Sequence, residues 1–293
     1  MTTKASNRTQ SSVKPVERRD LEQLLAGRHH DPHALLGPHP HDGAVTVRTL
    51  KPLADTVVVE MADGTLVELA HEFDGVWVGV LPTPTVPDYR IRVTYSDGIE
   101  HVLDDPYRFL PTLGEIDLHL IGEGRHEELW NVLGAHVREY DGPMGPVRGT
   151  SFAVWAPNAR AIRLTGDFNQ WDGTAHPMRS LGSSGVWELF IQDVAEGNRY
   201  KFEILGSDGS RRGKADPMAR ATEQPPATAS VVTSAAHTWE DGEWMTTRAA
   251  SNPHNGPMSV YEVHIGSWRQ GESYRGLAEH LVNYVKDLGF THI

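Results

Sequence analysis

The 293-residue chain contains no cysteine, which removes disulfides, thiolate nucleophiles and cysteine-ligated zinc from consideration. It also lacks any apolar run near the roughly 18 residues needed to cross a bilayer, and its first residues have no apolar centre of the secretory type. A cytoplasmic protein with no membrane partner is the expectation. Positive charge is scarce: 27 Lys and Arg face 39 Asp and Glu, for a net charge of -12. That balance repels phosphate backbones, so no nucleic-acid partner is expected. Local catalytic signatures are missing too, with no GxSxG elbow, phosphate-binding glycine loop, HExxH pair or calcium-loop ladder. Spacing alone selects no catalytic pair from so many carboxylates.

What is present is ordinary globular material, 39% apolar with 28 glycines, in a length that suits about two domains. Residues 1–19 carry Lys4, Arg8, Lys14, Arg18 and Arg19 against Glu17 alone, and predict a disordered basic tail. Asp20 then offers an N-cap with Gln23 as its return partner. Leu21, Leu24 and Leu25 form an apolar helix face, and Gly27 is a terminator. His29, His30, His33, His39 and His41 are the most metal-like group. They are interrupted by Pro32, Gly37, Pro38 and Pro40, which makes an irregular solvated loop the better reading, and no metal or other cofactor is expected.

From Ala44 onward, short Val, Ile and Tyr-rich runs alternate with Gly, Pro and Asp-Gly turns, the pattern of an antiparallel sandwich. The pattern occurs twice. Val45–Met61 has the layout of Ser151–Phe168, Gly75-Val76-Trp77 recurs as Gly185-Val186-Trp187, and Tyr89-Arg90-Ile91 as Tyr200-Lys201-Phe202. Ser96-Asp97-Gly98 recurs as Ser207-Asp208-Gly209, and Asp105-Pro106 as Asp216-Pro217. Two copies of one sandwich follow, with Trp77 and Trp187 in their cores.

The second copy is five residues longer between its proline and tryptophan landmarks, Pro157 to Trp187 against Pro52 to Trp77. The extra length falls on Gly166–Gly173, where the first copy has only the tight Met61-Ala62-Asp63-Gly64 turn. A longer surface loop carrying Trp171 results, and such loops on rigid scaffolds tend to hold function. An exposed indole can stack on the C–H face of a glucose ring while Asn169, Asp167 and Lys201 bond hydroxyls. The alternative is that Trp171 packs beneath its own loop or on a neighbouring domain.

Between the copies, Glu127–Leu133 predicts a connecting helix stopped by Gly134, with Leu129, Trp130 and Leu133 on its packing face. After Ala236 no period is evident as far as Pro257. Val260–Ile265 then predicts a buried strand, Leu277, Leu281, Val285 and Leu288 a helix stopped by Gly289, and Phe290–Ile293 another strand. Strand, helix, strand is a βαβ opening.

Five blocks carry a resemblance. GRHHDPHALLGPH (27–39), GTSFAVWAPNARAIRLTGDFNQWDG (149–173), GVWELF with YKFEI (185–190 and 200–204), MSVYEVHIGSW (258–268) and GLAEHLVNYVKDLGFTHI (276–293) together resemble bacterial 1,4-α-glucan (glycogen) branching enzymes. Debranching enzymes and trehalose-releasing hydrolases share the middle blocks; the histidine-rich run and the extra leading sandwich favour branching. The resemblance implies a mainly β chain: two tandem immunoglobulin-like β-sandwiches followed by the first βαβ of a truncated (β/α)8 barrel. The expected divisions are 1–19 tail, 20–141 first sandwich with its helices, 142–237 second sandwich of carbohydrate-binding type, 238–257 linker and 258–293 barrel opening.

The chemistry so implied is transfer of an α-1,4-glucan segment to a 6-hydroxyl, by a retaining mechanism with two carboxyl groups roughly 5 Å apart. The resemblance places those residues on later loops of a barrel of about 250 residues, so no catalytic residue is expected in this chain and the chain alone is expected to be inactive. Glycogen or another α-1,4-glucan is the implied partner, and a monomer the implied state. The family's sugar-binding sandwich matches at Trp171 and Lys201. It departs after Asp208-Gly209, where Ser210, Arg211 and Arg212 replace a second aromatic platform, and around Ser230–Thr233, where an expected Asn is not evident. Weak glucan affinity is the expectation. A non-catalytic glucan-targeting module, or the front part of a trehalose-releasing or debranching enzyme, are the alternatives.

Overall fold

The computed structural model describes residues 12–234 and 237–293. It divides into two compact units, Met1–Ala235 and Ala236–Ile293. The expected tail over residues 1–11 lies outside the described residues. Residues 12–19, also expected to be disordered, are placed. The Lys14 amide donates to Thr46 Oγ1 at 2.9 Å, and its carbonyl accepts from the buried Arg48 guanidinium at 2.6 Å.

Helix α1 spans Arg18–Leu25, three residues earlier than an Asp20 N-cap would start it, and Glu17 precedes it without a side-chain cap. Burial of Leu21 and Leu24, with Val16 packed alongside, fixes the start in place of a cap. Gly27 ends the helix as expected: at φ 62° its amide donates to the Leu24 carbonyl and that of Arg28 to the Gln23 carbonyl, which satisfies two otherwise open acceptors.

Eight strands build the first sandwich: β1 Gly37–His41, β2 Ala44–Leu50, β3 Thr56–Met61, β4 Leu66–Glu68, β5 Ala70–Phe73, β6 Val76–Leu81, β7 Tyr89–Thr94 and β8 Glu100–Leu103. They form two antiparallel sheets, ordered β1-β2-β6-β5 and β4-β3-β7-β8. Val45 and Val47 from one sheet, and Val57, Val59, Ile91 and Val93 from the other, meet in a single fully buried core. The alternating pattern of β3 and β7 fixes the register, since a one-residue slip would turn these side chains to water.

The second sandwich follows with β9 Gly134–Tyr140, β10 Val147–Trp155, β11 Ala161–Gly166, β12 Arg179–Ser180, β13 Val186–Gln192, β14 Arg199–Leu205, β15 Arg211–Lys214, β16 Ala221–Thr222 and β17 Ser230–Val231. Its sheets are ordered β12-β13-β10-β9 and β11-β14-β17-β16, with β15 also on β14. Because β9 pairs along β10 from Gly134 to Tyr140, this sheet begins ahead of the expected division at residue 142.

The two copies repeat one another bond for bond. Tyr89 donates to Asp105 at 2.7 Å and Tyr200 to Asp216 at 2.5 Å, both wholly inside. Each aspartate also accepts the amide two residues on, from Tyr107 and Met218. The Trp77 indole donates to the Lys51 carbonyl and the Trp187 indole to that of Ala156. Gly75 and Gly185, at φ 84° and 76°, lie so close to Pro52 and Pro157 that a Cβ would fall within 2.9 Å of either proline. Glycine is therefore required on both the conformational and the steric count.

The connection differs from expectation. Its helix, α2, is Glu115–Gly122, whereas Glu127–Leu133 holds only a single tight turn at Leu129–Asn131 with Trp130 exposed. Asp117 accepts the Gly114 amide at 3.0 Å and so caps α2, while Leu133 alone of the expected face is buried, with Leu113 and Val186.

In the smaller unit, α3 Gly242–Ala250 occupies part of the expected linker. The expected strand Val260–Ile265 is reduced to one parallel bridge, Val260 with His292, and its end turns into α4 Ile265–Trp268. One bridge leaves no ladder to enforce extended backbone on either side. Helix α5, Tyr274–Asp287, is as expected, with Ser273 as N-cap, Leu277, Leu281 and Val285 buried, and Gly289 at φ 78° behind it. Leu288 is the exception: it lies at the C-cap and is half exposed. Among the described residues no helix is long and apolar enough to cross a membrane.

Candidate functional site

Strand β11 is the edge of its sheet, and the segment behind it folds back over that edge, where Arg163 bridges Pro177. Two tight turns, Asp167–Asn169 and Gly173–Ala175, shape the segment. Phe168 is the loop's inward aromatic, 6.0 Å from the Phe152 ring and edge-on to His176 at 5.9 Å. With that position taken, Trp171 is left outside, 40% exposed and absent from the core.

Gln170 and Trp171 are both left-handed, at φ 54° and 66°. Non-glycine residues in that region each cost about 1 kcal/mol or more, so the surroundings must enforce them. The Trp171 amide donates to the Gly166 carbonyl at 2.9 Å, which holds the turn shut. Asp167 takes the Arg199 guanidinium on both oxygens at 2.9 Å and the Arg199 amide as well. These bonds to Arg199, with a smaller one from the Trp171 side chain, hold the Asp167 carboxyl below the usual carboxylate range.

The structure commits Asn169 to the loop itself. Its oxygen accepts the Gly166 amide, and its amide nitrogen donates to the Leu164 carbonyl at 2.9 Å and to His176 Nδ1 at 3.1 Å. Each of its ends is engaged. Burial, with the Lys51 charge adding to it, pushes the His176 imidazole down to about 4, which suits a ring that accepts at Nδ1.

Lys201 stands on β14 directly opposite Thr165, one residue from the carbonyl that anchors Trp171, and its ammonium donates to Thr228 Oγ1 at 2.7 Å. Thr165 and Lys201 thus share one end of the sheet's outer face, next to the Gly166 carbonyl that holds the Trp171 amide, and the buried Thr165 hydroxyl donates to the Lys201 carbonyl at 3.2 Å. The other end is closed. Arg211 Nη2 donates to the Ala26 and Gly27 carbonyls and Arg163 to that of Leu25, so two arginines cap the C-terminus of α1, and both also face Glu203. Arg211 stands where a second aromatic platform was sought. Sequence gave no signal of this contact, since the partners are about 185 residues apart.

The histidine-rich run does not converge. His29 and His30 stack on each other, His33 meets the Tyr107 ring edge, and His39 bonds the Leu36 carbonyl. Among the described residues no group of three His, Asp or Glu side chains is placed to hold a metal.

Residues 17–107 match the family described as alpha-1,4-glucan branching enzyme GlgB, N-terminal domain, and residues 132–219 match carbohydrate-binding module 48, the isoamylase N-terminal domain. The chain is 61% identical over 274 residues to 1,4-alpha-glucan branching enzyme GlgB of Thermobifida fusca, covering 94% of this chain and 37% of that protein. By sequence it belongs with the N-terminal portion of the glucan branching enzymes. Identity to 1,4-alpha-glucan branching enzyme GlgB 2 of Streptomyces coelicolor is 56% over 283 residues, 97% of this chain and 38% of that one. The chain therefore spans little more than a third of the length of these relatives. A pullulanase structure from Anoxybacillus sp. LM18-11 aligns with 87% of the chain and 38% of its own at 19% identity and a TM-score of 0.39.

Proposed function

We propose that this chain is the glucan-holding front end of a 1,4-α-glucan branching enzyme, which moves an α-1,4-linked segment onto a 6-hydroxyl to make an α-1,6 branch in glycogen. High identity to named branching enzymes over nearly the whole chain supports this reading. In an enzyme of the relatives' length, the paired carboxylates of the retaining reaction are supplied by sequence outside these residues, and 258–293 open the barrel that carries them. On this reading residues 20–141 and 142–237 are the two sandwiches, allowing for β9, and the enzyme works as a cytoplasmic monomer.

The observation that carries glucan binding is the outward indole of Trp171, raised on the loop that the second sandwich adds and set at the open end of the face bearing Lys201. Its flat face stacks on a glucose ring, Lys201 meets hydroxyls, and Asn169 and Asp167 position the indole without touching sugar. With one platform the affinity for a glucan chain is low. Glycogen co-sedimentation tests this: Trp171→Ala is expected to lose about tenfold or more in retention, at about 1–3 kcal/mol for a stacked ring. Equal retention would remove Trp171 from the site.

A further inference from the structure

A cleft of about 510 Å³ lies where the first sandwich meets the underside of the inserted loop. One wall is the turn that carries Lys51 and Pro52. Another is the loop's inner face, Phe168 and His176, and the third is the end of β13 with Asp193. It is on the opposite side of the loop from the exposed indole, because Phe168 points in while Trp171 points out.

We infer that this cleft is a second saccharide site, which takes a short neutral α-glucan such as maltose or the terminal units of a longer chain.

Four observations converge on it. First, the volume and the mostly apolar lining with a few polar groups are those of small-ligand sites. Second, Lys51 lines the cleft with no ion pair and no side-chain hydrogen bond among the described residues; its counterpart in the second copy, Ala156, has no such group. The nearby Asp105 carboxylate is already engaged by Tyr89 and the Tyr107 amide. Third, Asp193 is exposed, bonds Gln192 through one oxygen at 2.9 Å, and leaves the other open to solvent with no partner among the described residues. Such an oxygen can accept from a sugar hydroxyl without giving up a protein bond. Fourth, Tyr95, Tyr107 and Phe168 contribute aromatic surface for the C–H faces of a sugar.

Charge decides between a sugar and an anion. Lys51 and Asp193 line the same cleft, with Asp105 close behind, while Asp104 is paired with Arg108 and Arg90, so a phosphate or carboxylate would meet no net positive charge. Hydroxyls use both kinds, accepting from the ammonium and donating to the free carboxylate oxygen. Burial lowers the Lys51 ammonium from its ordinary range, the mark of a cation short of solvent, and a hydroxyl oxygen relieves part of that cost. Occupancy also reaches the outer site, since His176 lines the cleft and holds Asn169 of the Trp171 loop.

The inference stands apart from the Trp171 reading and is tested with that residue removed. Maltotriose is titrated into the 293-residue Trp171→Ala chain while the resonances of Tyr95, Phe168 and His176 are followed by NMR. Saturable shifts are expected. Adding Lys51→Met, which keeps the stem and removes the charge, weakens them about tenfold, the usual size for a hydrogen bond to a charged group. Asp193→Asn tolerates the left-handed backbone, φ 59° at this position, and gives a second, independent loss should Lys51→Met disturb folding. No shifts at these rings, or equal affinity in both variants, would overturn the cleft site and leave the outer site to stand or fall on glycogen retention. Inorganic phosphate that displaces maltotriose from the same rings would overturn the assignment to sugar.

Discussion

The two sandwiches are the same machine with different edges. Each ties the start of one strand, β7 or β14, to the segment after the next strand with a buried Tyr–Asp bond, hangs a tryptophan indole on the carbonyl before a proline, and presses a left-handed glycine against that proline. They part at the strand edge. In the first copy β3 turns tightly at Gly64 into β4, which pairs with it. In the second, β11 has no such neighbour, and the loop bearing Phe168 and Trp171 folds over the edge instead. The lesson is that the repeated bonds build a frame, and that chemistry enters where one copy stops pairing strands and uses the freed length to present side chains.

The largest expected effect tests whether the frames are independent. The core of the second sandwich runs on without a break into Leu21 and Leu24 of α1 and into Leu50 and Val76 of the first copy. Phe152→Ala is expected to cost about 3–5 kcal/mol and to speed amide exchange at Val76 as well as at Ile162. Exchange confined to the second copy would separate the two frames.

A smaller effect sharpens the difference at the edges. His176 belongs to the inserted loop, and its folded value of about 4 lies below the ordinary 6.5, so the unfolded chain binds the extra proton. Stability from this group is complete above pH 6.5 and is lost as pH falls toward 4, by up to about 3 kcal/mol. His176→Gln is expected to flatten that part of the curve in urea titrations across the window; an unchanged slope would show the imidazole to be open to water.

Next in size is the shared bond. Tyr89→Phe and Tyr200→Phe each leave a buried carboxylate short of one donor, and each is expected to cost about 1–3 kcal/mol in chemical denaturation. Unequal costs would mean that the two copies use the bond differently. The smallest is Arg211→Ala, which uncaps α1 for about 0.5–1 kcal/mol, given the partial exposure of the side chain. Faster exchange at Leu24 and Leu25 without change at Val59 is the expected pattern.

Much of this organisation is legible in the sequence. The paired motifs name the residues that make matching bonds, and the five-residue excess locates the loop that leaves Trp171 exposed. Gly27 and Gly289 mark helix ends because a left-handed terminus is a local requirement. What the sequence leaves open has one cause. Asn169 reads as a sugar ligand beside Trp171, yet both ends of its amide are consumed by Gly166, Leu164 and His176. The strand over Val260–Ile265 reads well by composition, but a strand needs a neighbour along its length, and one bridge to His292 is all it has.

The amino-acid sequence by itself determined the duplication, the turns and the inserted loop, since periodicity, glycine and proline act over a few residues. Only the tertiary structure decided that α1 joins the core of the second sandwich, that Arg211 closes its end, and that Lys51 faces His176 across a cleft. Those pairings join positions far apart in the chain, where packing of whole surfaces, and no local preference, selects the partner.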